Sequence, residues 1–186
     1  MKELSLIFCL CVLLVLFSSC APDLTDDVEW AYDVAKNNSG SGSGSSSGSC
    51  TITEDGKMWS PMSSSTMSWD DAVSYCNNLT ECGYSDWHLP TISELRTLIK
   101  NCSGTVTVGS CGVTDSCLSS SGCRNDPCDG CSYDSSGYYS KLGDSDSLWS
   151  SSTKSDSSSN AWRVYFLSGS VLSYGKSNGS NFRCVR

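Results

Sequence analysis

Histidine is almost absent from this sequence: among 186 residues there is one, His88. A single imidazole, with no Ser or Cys nucleophile in a recognisable motif beside it, excludes a hydrolytic triad by inventory. Positive charge is also scarce, with 12 Lys and Arg against 20 Asp and Glu and a formal net charge of −8. Without a basic stripe to neutralise phosphates, nucleic-acid binding is excluded as the main function. Long apolar runs are missing as well. The longest, Leu6 to Phe17, has twelve residues, well short of the about 20 that a membrane-spanning helix needs.

What is present is cysteine, 13 in all, set in a chain rich in Ser and Gly that still carries six Trp and eight Tyr. So many aromatics predict a folded core, because disordered chains are poor in them. So many cysteines predict an oxidising compartment, where disulfides persist. The N-terminus supplies the route. Residues 1–19 read as a signal peptide whose apolar stretch ends in Leu16-Phe17-Ser18-Ser19-Cys20. Small residues before a cysteine match a bacterial lipobox, with Phe17 where Leu is usual, and Cys20 is the expected lipidation site. Several acyl chains on Cys20 would anchor the protein firmly in a membrane, in the bacterial envelope, at the outer membrane or cell surface. Residues 20–49 form a tether, acidic at first and only Gly and Ser from Ser39 to Ser49, a composition that behaves as flexible coil.

The domain is expected over residues 50–186. Its ten cysteines are Cys50, Cys76, Cys82, Cys102, Cys111, Cys117, Cys123, Cys128, Cys131 and Cys184. An even number suits disulfides, although spacing alone leaves the pairing open. Zinc is disfavoured, because Cys128-x-x-Cys131 is one knuckle where a ribbon needs two. Glu54-Asp55-Gly56 predicts a hairpin turn. Ser68 predicts the cap of a helix whose face carries Trp69, Ala72, Val73, Cys76 and Leu79. Thr91-Ile92-Ser93-Glu94 is a capping box for a second helix, with Ile92, Leu95, Leu98 and Ile99 as its buried stripe.

Residues 101–147 read as an irregular, disulfide-stapled insert. Within it Asn125-Asp126-Pro127-Cys128-Asp129-Gly130 offers oxygens to Ca²⁺ but matches no EF-hand spacing, so it reads as a solvated turn and no cofactor is expected. Strands are expected at Leu148–Ser152, Ala161–Phe166, Val171–Tyr174 and Asn181–Arg186. In the second of these, Trp162, Val164 and Phe166 share one face and Arg163 and Tyr165 the other. The fold class is α+β, with an antiparallel sheet and two helices. His88, between Trp87 and Leu89-Pro90, is read as a buried structural residue.

These residues carry a resemblance. Trp69, Ala72, Cys76 and Leu79, then Gly83-Tyr84-Ser85-Asp86-Trp87-His88-Leu89-Pro90-Thr91 with Glu94-Leu95, are similar to the Lcl C-terminal domain family. Trp149-Ser150-Ser151-Ser152, Ala161-Trp162 with Val164, Phe166 and Gly169, and the final Arg183-Cys184-Val185-Arg186 continue the likeness in the same order. Members usually have Arg at the position of His88 and often Val at that of Phe182. The resemblance implies a C-type-lectin-like, formylglycine-enzyme-like fold on a surface-exposed bacterial protein, with Cys76 joined to Cys184. No reactive cysteine pair and no Ca²⁺-bridging sugar tripeptide is present, so the expectation is a binding module, not an enzyme.

The expected ligand-binding face is Arg163, Tyr165, Leu167, Ser170, Leu172, Tyr174 and Phe182, alternating with core positions and taken to be exposed. Its partner would be a surface glycan or a protein, with homo-oligomers implied by family analogy alone. Relatives that bind sulfated glycans would need a basic patch, and here only Arg163, Lys176, Arg183 and Arg186 cluster late in the sequence. The alternative is a passive disulfide-rich structural protein of the envelope. Some proteins of this fold are diversified by retroelements. The alternation of Arg163, Tyr165, Leu167, Ser168, Ser170, Leu172, Ser173, Tyr174, Ser177 and Phe182 with fixed aromatic and glycine positions fits that pattern.

Overall fold

Residues 52–186 are described by the computed structural model; the signal peptide, Cys20, the tether and Cys50 lie outside them. Strands β1 (Ile52–Glu54) and β2 (Lys57–Trp59) form an antiparallel hairpin, Ile52 opposite Trp59 and Glu54 opposite Lys57. Asp55 and Gly56 at its tip have φ of 52° and 75°, the left-handed pair whose twist matches that of the strands.

Helix α1 spans Trp69–Asn78. Ser68 caps it by accepting from the Asp71 amide, Asp70 and Asp71 fill its first turn, and Ala72 and Cys76 are buried. Helix α2 is short, Ile92–Arg96, and its capping box is complete: Thr91 accepts from the Glu94 amide while Glu94 accepts from the Thr91 amide. Ile92, Leu95, Leu98 and Ile99 are all buried, although the last two follow the helix in turns. The insert contains two further pieces that periodicity did not reveal, α3 (Ser120–Cys123) and a 3₁₀ turn at Asp126–Asp129. Both are made by local chemistry. Ser119 caps α3, Asp156 accepts from the amides of Ser120 and Ser121, and Pro127 sits at the start of the 3₁₀ turn.

Strands β3 (Ser147–Thr153), β4 (Asn160–Tyr165) and β5 (Ser170–Gly175) make a three-stranded antiparallel sheet in that order. The expected fourth strand, Asn181–Arg186, is not one. Its residues make isolated bridges with different partners, Asn181 with Leu148 and Val185 with both Trp59 and His88. The segment is extended and runs antiparallel to residues 58–63: Met58 and Arg186 exchange amide–carbonyl bonds at 3.0 Å, and the Ser60 and Ser63 amides donate to the Cys184 and Phe182 carbonyls at 2.9 Å, yet it does not join the three-stranded sheet as a fourth strand.

The sheet is buried on both faces. Leu148, Trp162, Val164 and Val171 pack on one side with Ile92, Leu95, Leu98 and the insert's Cys111, Val113 and Cys128. Trp149 and Ala161 pack on the other with Ala72, Cys76, Trp87, Leu89 and Phe182. Cys76–Cys184 ties α1 to the C-terminal segment. Within the insert three disulfides are nested: Cys102–Cys131 encloses Cys111–Cys128, which encloses Cys117–Cys123. Cys82 is also disulfide-bonded. Helices, antiparallel sheet and disulfides together make an α+β fold.

His88 corrects an expectation. Its side chain is 43% exposed and its Nε2 lies 3.1 Å from Glu94 Oε2, because the neighbouring Trp87, Leu89 and Pro90 enter the core and leave position 88 at its rim.

Candidate functional site

The face expected to bind starts from the register of β4. Arg163 lies opposite Trp149 on β3 and Leu172 on β5, Tyr165 opposite Ser147 and Ser170, and Ala161 opposite Tyr174. Paired residues share a face, so Arg163, Tyr165, Leu172 and Tyr174 stand on the α1 side of the sheet. There Trp149 is fully buried, Tyr174 leans on it at 5.9 Å between ring centroids, and the Arg163 guanidinium covers Tyr174 at 3.8 Å. The stack runs outward from core to surface, with a cation on top.

Phe182 does not belong to it. It is 1% exposed, packed among Trp87, Leu89 and Cys184, with Tyr75 edge-on at 5.2 Å. Alternation assigned it to a face, and α1 covers that face. Ser170 is also withdrawn from solvent, at 5% exposure. Its hydroxyl bonds the Asp129 carbonyl at 2.6 Å, because the insert closes over this corner. Leu167 and Leu172 are half-buried, not the open apolar pair expected. Arg163, Tyr165, Leu167, Leu172 and Tyr174 therefore remain as the partly accessible set.

The insert contributes more to this edge than expected. The Cys131 amide donates to Ser168 and the Asp134 amide to Leu167, at 2.7 and 2.6 Å, so the chain around Tyr133 lies against the β4–β5 turn. Tyr133 is 67% exposed. The fit is close at Gly130, where φ is +84° and a Cβ would meet the Ser168 carbonyl and the Ser170 hydroxyl. An exposed tyrosine flanked by turn residues in a cysteine-rich stretch is the only hint the sequence held of this, and it does not say against what the stretch packs.

Charge on the face resolves residue by residue. Arg183 is buried and grips Asp144 with Nε and Nη2 at 2.6–3.1 Å while Nη1 donates to the Ser60 carbonyl. Arg186 pairs with Asp86 at 2.6 Å and stacks on Tyr84 at 3.5 Å. Lys176 sits over Trp69 at 3.8 Å and donates to Thr153. Arg163 has no acid among the described residues, and its Nε is buried without an acceptor. Burial draws its pKa below the usual arginine range. The four late cations thus make no basic patch.

The turn considered for Ca²⁺ is used otherwise. Asn125 accepts from the Gly112 amide and donates to the Ser110 carbonyl, while Asp129 pairs with Arg124. Among the described residues no group of three or more His, Cys, Asp or Glu side chains is placed to hold a metal ion.

In comparisons with known proteins, the model of the Lcl C-terminal domain matches residues 20–186. No curated protein and no solved structure matches significantly.

Proposed function

We propose, for a chain that belongs to the Lcl C-terminal domain family, a non-enzymatic recognition or adhesion role exercised at the bacterial cell surface through the C-terminal sheet face. Family membership and a disulfide-stapled α+β domain are compatible with a surface or structural protein. The observation that favours recognition is Arg163, whose buried, unsatisfied Nε is a standing penalty of about 1–3 kcal/mol in a passive protein. A ligand that covers Tyr165 and Tyr174 and brings an acceptor to Nε itself removes the penalty. Tyrosine and arginine are the residues that dominate binding energy at interfaces. The C-type-lectin-like arrangement is part of the same proposal.

The ligand is a surface glycan or a protein that brings an isolated acceptor group. A polyanion is disfavoured, because a net charge of −8 repels it at long range and three of the four late cations are already engaged. Glycan-array and whole-cell binding of the full chain, beside Arg163→Ala and Tyr165→Ala, tests the reading. Binding that falls at least tenfold in both variants supports it. Binding to nothing, or binding indifferent to both, leaves the structural role in the envelope.

Anchoring through lipid on Cys20 belongs to the proposal. Labelled palmitate should enter the wild-type protein and not Cys20→Ala, and failure of the wild type to take up label overturns it. Diversification by a retroelement, if it operates here, is restricted to positions such as Arg163, Tyr165, Leu172 and Tyr174. Variation at buried Ser170 or Phe182 would break packing that the fold uses.

A further inference from the structure

A second concave region lies on α1. A cavity of about 430 Å³ runs along its outer side, and a smaller one of about 210 Å³ lies between α1 and the residue 60–64 segment. Tyr75 and Leu79 line both. Tyr75 is therefore the wall between them, an aromatic ring 49% exposed with space on either side. It is held upright by its edge contact with the buried Phe182, so its position is set by the core.

The side chains around it select the ligand's chemistry. The larger cavity presents Asp71, Ser74 and Asn78, the smaller Ser63, Ser64 and Glu81. Neither is lined by Lys, Arg or His. Two carboxylates without a cation repel an anionic ligand. Cations that bind aromatics tightly are enclosed by several rings, and here one exposed ring faces the space. What fits is an uncharged ligand with an apolar face for the ring and many hydroxyl donors for the carboxylates and the Asn78 amide. We infer that the paired cavities around Tyr75 bind a neutral saccharide, its ring face stacked on Tyr75 and its hydroxyls donating to Asp71, Asn78 and Glu81. This site is separate from the Arg163 face and does not depend on it.

The test is saturation-transfer NMR on the full chain with three uncharged saccharide oligomers, maltohexaose, cellohexaose and N-acetylchitohexaose, and with polygalacturonate as the anionic arm. Transfer to at least one neutral oligomer is expected. Its affinity should fall at least tenfold in Tyr75→Ala and in Asn78→Ala, stay within about twofold in Tyr75→Phe, which keeps the ring, and be unchanged in Arg163→Ala. Asn78→Ala is an exposed helix-end change and guards against a folding defect in Tyr75→Ala. Absence of transfer to all three oligomers, binding that survives both Tyr75→Ala and Asn78→Ala, or polygalacturonate binding that is lost with Tyr75 overturns the inference. Loss with Arg163→Ala would move the saccharide to the other face, overturning this site while leaving the proposed recognition role intact.

Discussion

Arg163 lies over Tyr174, its guanidinium carbon 3.8 Å from the ring centroid, yet its Nε is buried with no acceptor. The two facts have opposite signs. A cation–π contact at a partly exposed site contributes about 0.5–1 kcal/mol, whereas an unsatisfied buried donor costs roughly 1–3 kcal/mol. Replacing Arg163 with Met keeps the stem's packing and removes both terms. Thermal unfolding of Arg163→Met should therefore match or exceed wild type by up to a few degrees, while ligand binding is lost. A fall of more than about 2 kcal/mol would mean that Arg163 is chiefly structural.

Glu94 makes an acid-dependent contribution that can be signed. It accepts from His88 Nε2 at 3.1 Å, Lys57 Nζ at 2.9 Å and the Thr91 amide at 2.9 Å. The hydrogen bond from His88, ahead of those from Lys57 and Thr91, holds its pKa at about 2 against an ordinary 4.5. A depressed carboxylate stabilises fully above its unfolded pKa and loses that contribution as pH falls through the folded one. Stability should therefore drop between about pH 4.5 and pH 2, by roughly 2–3 kcal/mol from this group. Glu94→Gln should flatten that part of the denaturation profile. An unchanged slope would show that the cluster is too solvated to matter.

How much of this was readable in advance follows from what each signal encodes. Asp55-Gly56, Ser68 and Thr91-Ile92-Ser93-Glu94 act within four residues, so the hairpin and both helix starts were legible. Alternation in Trp162-Arg163-Val164-Tyr165 identified two faces correctly, and Arg163 and Tyr165 remain partly accessible. The same alternation could not say that α1 covers Phe182 or that the insert covers Ser170, since covering is done by elements distant in sequence. Nor could spacing choose the nested disulfides. Exposure of His88 was missed because its neighbours' burial was extended to it.

The Cys76–Cys184 bond closes a loop with a sequence separation of 108. By chain entropy such a closure stabilises by roughly 4–5 kcal/mol. It also fixes α1 against the segment that carries Phe182. Cys76→Ala with Cys184→Ala should lower the unfolding free energy extrapolated from denaturant titration by that amount. Peptide mapping without reduction should recover Cys102–Cys131, Cys111–Cys128 and Cys117–Cys123 in both proteins. Scrambled insert pairs in the double variant would show that the insert's disulfides depend on this bond.

Arg96 organises the insert from below and gives the sharpest stability test. It is 1% exposed and donates from Nε to the Thr105 carbonyl at 2.9 Å, from Nη2 to Val106 at 2.8 Å and from Nη1 to Val113. No acid pairs with it among the described residues, and burial pushes its pKa below the ordinary value. Three backbone acceptors therefore converge on one planar side chain. Arg96→Met fills the space but leaves the Thr105 and Val113 carbonyls without this donor, at about 1–3 kcal/mol each before relaxation, while the Val106 carbonyl keeps the Gly109 amide at 2.8 Å. Arg96→Lys should rescue little, because one ammonium cannot reach the three positions that a guanidinium fork spans. Both variants should melt well below wild type and become protease-sensitive around Val108, which is 96% exposed at the tip of the loop Arg96 holds. Cleavage there no faster than in wild type would mean that the three nested disulfides hold the loop without Arg96.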